Sequence, residues 1–234
     1  MKKFYFIGDS HALGISGNDG QHFLPDGTVN PNRRYNWFDV RYGHPQTRWH
    51  KHKDYELYCW RVDAGLAHTL CDKAQTSLLP KLKNVSLDSN VCLSYGEIDC
   101  RAHIKKQAEK QNVSVNRIIE SVVERYLLVY EEIKRLGYKN LFTMDISCGT
   151  DGGYEGTCFV PSCEAPSRGL EITGKFNKIL KEQSMAKGFR HIETFEKITS
   201  TMHEKNYWYD TIHLLSESLV PIVLEELKRL GGYE

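Results

Sequence analysis

The chain has 234 residues, is 40% hydrophobic and 26% charged, and carries a formal net charge of +1. This length suits one large domain, and so balanced a charge supplies no field to draw the chain to nucleic acid or an anionic membrane. The early apolar run from Phe4 to Ile7 is too short for a signal-peptide core or a membrane span, so a soluble cytoplasmic protein is expected.

The first predicted element is a buried strand over residues 3–8, ended by Gly8. A helix over 10–17 would follow, with Ser10 at its start. Residues 18–54 carry Gly, Asn, Pro, Arg, His and aromatics without a period, and they read as a loop-rich insertion in a single domain spanning 1–234. Strands are expected at 56–62 and 90–95, the first followed by Gly65 and a helix over 66–79, the second ended by Gly96. Residues 114–137 form the clearest helix: Ser114 can cap it, Gly137 can stop it, and an apolar face runs from Ile118 to Ile133 at helical spacing. A strand at 140–146, a polar loop at 147–167, a helix at 173–187, a strand at 189–194 and a closing helix at 214–230 complete the chain. Strands alternating with helices predict a parallel sheet covered on both faces, with ligands at the carboxyl ends of its strands.

Cysteine usage points the same way as the absent signal. Seven cysteines is an odd number, and Cys148, Cys158 and Cys163 follow a C-x9-C-x4-C spacing without any CxxC. They are read as reduced thiols, and no metal is expected.

The chemistry gathers at the two ends. Gly8-Asp9-Ser10 places a hydroxyl where a buried strand breaks into a turn, and Asp210-Thr211-Ile212-His213 places a carboxylate three positions before an imidazole. A serine is a weak nucleophile at neutral pH and needs a base. His213 can take its proton, and Asp210 can hold the imidazole tautomer and stabilise the imidazolium. The backbone N–H groups of Ser10 and Gly65 are candidate donors to a developing oxyanion, glycine allowing close backbone approach. Taken singly, a serine before a helix is ordinarily an N-cap and a glycine after a strand a turn; their order along the chain is what favours catalysis.

Gly8-Asp9-Ser10 and Asp210-Thr211-Ile212-His213-Leu214 resemble the first and last motif blocks of the SGNH (GDSL-type) hydrolases, and the resemblance covers nearly the whole chain in order. It implies a three-layer α/β/α sandwich with a five-stranded parallel sheet. It also implies Ser10 as nucleophile and oxyanion donor, Gly65 as second donor, and Asp210 and His213 as the rest of the triad. The third block departs from the family's Gly-x-Asn-Asp: here it reads Gly96-Glu97-Ile98-Asp99-Cys100-Arg101, with Ile98 where the amide donor would fall. This GEIDCR segment resembles the variant of a divergent branch. Arg101 is a candidate replacement for the missing donor or a structural partner of Glu97 or Asp99. Asp9, His11, Glu97, Asp99 and His103 are candidate substrate contacts.

The reaction expected from this resemblance is removal of a short acyl group, acetyl above all, from a carbohydrate or other small ester, with no cofactor. Two alternatives stand beside it: an O-acyltransferase that delivers the same acyl group to a glycan, and a carbohydrate-binding protein that has lost catalysis on the same fold. Residues 31–53 hold six cations (Arg33 and Lys53 among them), one acid, Asp39, and interleaved Trp37, Tyr42 and Trp49. Such a layer suits a sugar or an anionic acyl substrate, or is an irregular surface layer anchored by its aromatics.

Overall fold

The computed structural model describes residues 2–9, 11–12, 55–62, 65–83, 85–147, 166–201 and 216–231. Its five strands are β1 (Lys2–Gly8), β2 (Tyr55–Arg61), β3 (Asn90–Ser94), β4 (Asn140–Met144) and β5 (Arg190–Ile192). They pair in the order β2-β1-β3-β4-β5, every pair parallel. The chain steps from β1 to one neighbour and then back across to the other, so the strand order reverses at the β1/β3 boundary. In open sheets of this kind a crevice forms outside the carboxyl ends at that boundary.

Alternation along the strands builds two cores. Tyr5, Ile7, Val91, Leu93 and Leu141 face α1 (Ala67–Ser77), α4 (Val115–Arg135) and α5 (Pro166–Ala186). Phe4, Phe6, Leu57, Cys92, Phe142 and Ile192 face the other way, onto Ile198 of α6 (Phe195–Thr201) and Leu219, Val223 and Leu227 of α7 (Ser216–Arg229). All five β3 residues are buried, as a central parallel strand requires. The three layers are those the resemblance implies.

The long helix obeys its local signals: the Ser114 hydroxyl accepts from Arg117 N–H at 3.2 Å, and Gly137 follows the helix end with φ 102°. Elsewhere the expected boundaries shift. The 66–79 helix is two pieces, α1 and a short α2 (Leu79–Leu82), because Pro80 cannot donate a helical hydrogen bond. The π-helical turn Asp99–His103, α3 (Ile104–Gln111) and α6 were not expected; α3 buries only Ile104 and Ala108 of its eight residues, too sparse a stripe to read. The fifth helix begins seven residues before the expected start at Thr173, with Pro166 at its first position. Among the described residues no helix is long and apolar enough to cross a membrane.

Candidate active site

Two glycines shape the crevice. A Cβ on Gly8 would lie 2.1 Å from the Ser94 carbonyl oxygen, so only glycine lets β1 run this close to β3 at its exit. Gly96 has φ +123°, which turns the chain out of β3 into the third block.

Asp9 leaves β1 buried, with its N–H donating to Ser94 O at 3.3 Å. Its carboxylate accepts from His11 N–H at 2.8 Å, and its carbonyl accepts from Ala12 N–H at 3.3 Å. These bonds fold the chain back between residues 9 and 12, an Asx-type turn built by the aspartate. The Cys59 thiol of β2 donates to the Ala12 carbonyl and ties that turn to the sheet.

Glu97 is the hub of the third block. It is 2% exposed and accepts from Arg101 Nε at 2.6 Å and from Arg101 NH2 at 3.2 Å. The His11 Nε2 lies 3.1 Å from Glu97 Oε2, the oxygen that Arg101 NH2 also reaches. Burial alone would raise the pKa of Glu97, but the charges and hydrogen bonds of His11 and Arg101 outweigh it and hold the carboxyl at about 2. Burial likewise works against a charged His11, yet the carboxylates of Glu97 and Asp9 raise its pKa above the usual imidazole value. The structure thus brings together His11, Glu97 and Arg101 as one hydrogen-bonded cluster, and two of the guanidinium nitrogens are committed to Glu97.

Asp99 and His103 lie apart from that cluster's contacts. Asp99 is 1% exposed and accepts from the N–H groups of Ala67 and His68 at the start of α1. Burial, with the charge of Asp9 adding to it, raises its pKa to about 7 against those two donors. His103 lines a separate cleft of about 630 Å3 between α1, α3 and α4, with Leu66, His68, Gln107 and Arg117. Burial and then the charges of Lys106 and Arg101 lower its pKa. Gly65 is partly buried beside the Tyr95 ring, two residues before α1 begins.

A pocket at the carboxyl edge is lined by Asp9, His11, Ser94, Glu97, Asp145, Ser147 and their apolar neighbours. Asp145 was not anticipated. One of its oxygens accepts from Thr194 N–H at 2.8 Å and Phe195 N–H at 2.9 Å, capping α6, and the other lies 2.8 Å from His191 Nε2. The second ring nitrogen of His191 lies 2.8 Å from Thr143 Oγ1. With both nitrogens engaged and the ring buried, this Asp–His pair holds β4 to β5 and leaves no nitrogen for a nucleophile. Asn177 makes a similar clamp, bonding both the N–H and the carbonyl of Ile146 at 2.7 and 2.9 Å. A polar residue directly after a buried strand, as in Met144-Asp145, was the available signal.

Ser10, Asp210 and His213 lie outside the described residues, as do Cys148, Cys158, Cys163 and the 18–54 segment. Cys59, Cys71 and Cys92 are free thiols, and no group of three potential metal ligands occurs among the described residues.

No protein-family model matches the chain, and no curated protein sequence does. Solved structures do. A gut microbial diltiazem-metabolizing enzyme aligns with TM-score 0.58 at 10% identity, over 98% of this chain and 47% of its own, so the chain spans about half of that enzyme. A catalytic mutant of Axe2, an acetylxylan esterase from Geobacillus stearothermophilus, aligns with TM-score 0.54 at 11% identity, over 100% of this chain and 95% of its own. Catalytic mutants of Axe2 fall on a serine early in its chain and on an aspartate three positions before a histidine. The extracellular lipase from Streptomyces rimosus aligns with TM-score 0.53 at 11% identity, over 98% of this chain and 99% of its own. At such identity the likeness speaks to architecture: the chain has the α/β/α fold, with its five-stranded parallel sheet, of the SGNH hydrolases.

Proposed function

We propose that the protein is a serine esterase of the SGNH type that removes a short acyl group, acetyl in the first instance, from a carbohydrate ester. The observation that carries this reading is the convergence at the strand-order reversal. Asp9 and His11, the neighbours of Ser10 in sequence, share one pocket with Glu97 of the third block, in a fold that acylhydrolases also use. The serine, and the aspartate three positions before a histidine, that mark the catalytic mutants of Axe2 have counterparts here in Ser10, Asp210 and His213.

In this reading Ser10 Oγ attacks the ester carbonyl carbon while His213 accepts its proton. Asp210 orients His213 and stabilises the imidazolium. The tetrahedral oxyanion is met by the N–H groups of Ser10 and Gly65. Collapse breaks the acyl C–O bond, and His213 returns the proton to the leaving alcohol. Water then enters with the same base and releases the acid.

The departed asparagine leaves the oxyanion one donor short, a loss of about 10²–10³ in rate for a comparable site. Arg101 acts here through its charge, since Glu97 takes two of its nitrogens, and His11, next to Ser10 in sequence, shares the same carboxylate. The acetyl-sugar preference rests on the likeness to Axe2 and on the cationic, aromatic composition of residues 31–53.

The test is hydrolysis of p-nitrophenyl acetate, together with labelling by a fluorophosphonate, in the wild type, Ser10→Ala and His213→Ala. Turnover and labelling that both disappear in Ser10→Ala are expected, after which acetylated xylo-oligosaccharides separate sugar from generic ester substrates. Turnover that survives Ser10→Ala, or an unlabelled and inactive wild type, overturns the activated serine.

A further inference from the structure

Helix α1 starts without a cap of its own. Its N-cap is Leu66, an aliphatic residue with no side-chain acceptor, and its first turn contains no acid. The first N–H groups of a helix need acceptors, and a buried start without them is costly. The acceptor comes from 32 residues away: Asp99 Oδ2 takes Ala67 N–H at 2.7 Å, and Oδ1 faces His68 N–H at 3.4 Å. A carboxylate on a helix N-terminus is favoured by the helix dipole as well as by the hydrogen bonds.

This bond joins two loops that would otherwise be independent. Asp99 opens the π-helical turn after β3, where Cys100 N–H returns to Gly96 O at 2.9 Å. Ala67 opens the helix after β2, and Gly65 lies two residues earlier. The exits of two strands on either side of β1 are therefore pinned to each other through one buried side chain.

We propose that Asp99 is a positioning residue: its carboxylate, by holding the Ala67 and His68 amides, sets the Gly65–Leu66 turn at the distance from β3 that an oxyanion donor at Gly65 requires. The proposal rests on the esterase reading and gives the variant third block a function that its missing asparagine does not exclude.

The charge on Asp99 matters to the hold. Burial raises its pKa to about 7. Protonation below that pH removes the charge and weakens the grip on both amides. The groups that face it are the charge of Asp9 from the β1 exit and the Ala67 and His68 amides of α1, and the side chains of His68 and His103 line the same cleft. Across the cleft, α4 presents Arg117, Glu120 and Glu124, and α3 presents the amides Gln107 and Gln111.

Two measurements test this. The first follows the backbone amide resonances of Ala67 and His68 by NMR from pH 5 to 9. A titration with a midpoint near 7 in the wild type, absent in Asp99→Asn, is expected; amides that neither titrate nor move in the variant overturn the proposal. The second is p-nitrophenyl acetate kinetics. Asp99→Ala should lower kcat at pH 8 by about 10- to 100-fold with KM within about twofold, the scale of a displaced donor. Asp99→Asn, which keeps an acceptor oxygen, should recover kcat to within about threefold and lose the acid limb assigned to Asp99. A merely structural cap would lower the melting temperature of both variants and leave the kcat of the folded enzyme intact. If the wild type has neither Ser10-dependent turnover nor labelling, the esterase reading fails and the positioning role fails with it. A titrating Ala67 amide would then record a helix cap alone.

Discussion

Replacing Glu97 by glutamine removes one negative charge from a buried site, leaves the Arg101 guanidinium facing an amide, and takes from His11 the carboxylate that most favours its charge. Glu97 accepts three close contacts, two from Arg101 and one from His11, and its side chain is 3% exposed against 18% for Arg101 and 11% for His11. Two routes give the cost. Breaking a buried pair from one side typically costs about 3–5 kcal/mol because the remaining charge is uncompensated. The carboxyl pKa falls from 4.5 to about 2 on folding, which by linkage corresponds to about 3 kcal/mol at neutral pH. The two agree at about 3 kcal/mol, or a melting temperature lower by about 6–12 °C for a domain of this size. The sign with pH is fixed. A depressed carboxyl contributes fully above its unfolded pKa and loses that contribution as pH falls toward the folded one. The gap between wild type and Glu97→Gln should thus be complete at pH 6–7 and should close between about pH 4.5 and 2. Differential scanning calorimetry of both proteins across that range is the assay. A gap at pH 7 of less than about 2 °C, or one that persists unchanged at pH 3, would refute the argument that Glu97 is held ionised by Arg101 and His11.

Tyr130→Phe should cost about 1–3 kcal/mol in urea denaturation with an unchanged m-value, because the lost hydroxyl, fully buried, accepts from Leu93 N–H at 3.0 Å and donates to Phe142 O at 2.8 Å, bridging β3 and β4. A midpoint equal to wild type would contradict that bridge. Gly8→Ala should destabilise by about 4 kcal/mol or more, since its Cβ would sit 2.1 Å from Ser94 O between paired strands, and the expected readout is loss of folded protein by near-UV circular dichroism. Asp145→Ala should strip the cap from α6 and leave His191 without its carboxylate, lowering stability by about 3 kcal/mol or more. A change under about 1 kcal/mol in calorimetry would count against the network.

Strands β1, β3 and β4 were legible in sequence as short apolar runs with a breaker nearby, and α4 because its buried face repeats from Ile118 to Ile133 between Ser114 and Gly137. α3 was not, since IKKQAEKQ carries one charged or amide side chain after another and packs through two residues alone. At the site, sequence singled out Glu97, Asp99, Arg101 and His11 as polar residues beside motif glycines. It left Arg101 open between donor and partner, and only coordinates give Glu97 as the group it grips. Asp145 passed unnoticed because a carboxylate at a strand end looks the same whether it caps a distant helix or meets solvent, and Asn177 because an amide within a helix looks the same whether it clamps a strand's exit or faces water.

What the amino-acid order determined by itself was therefore local: where strands start and stop, which face of a helix is apolar, where glycine turns fall, and which positions are candidates for a nucleophile and its base. Periodicity and capping act over a few residues, so they can be read within a few residues. What the tertiary structure decided was pairing at a distance. The order β2-β1-β3-β4-β5 carries the exits of β1 and β3 to one crevice. Asp99 reaches α1 across 32 positions, and Glu97 meets His11 across 86. Such contacts depend on how layers pack and on which buried charge finds its opposite, and neither is encoded in any neighbouring residue.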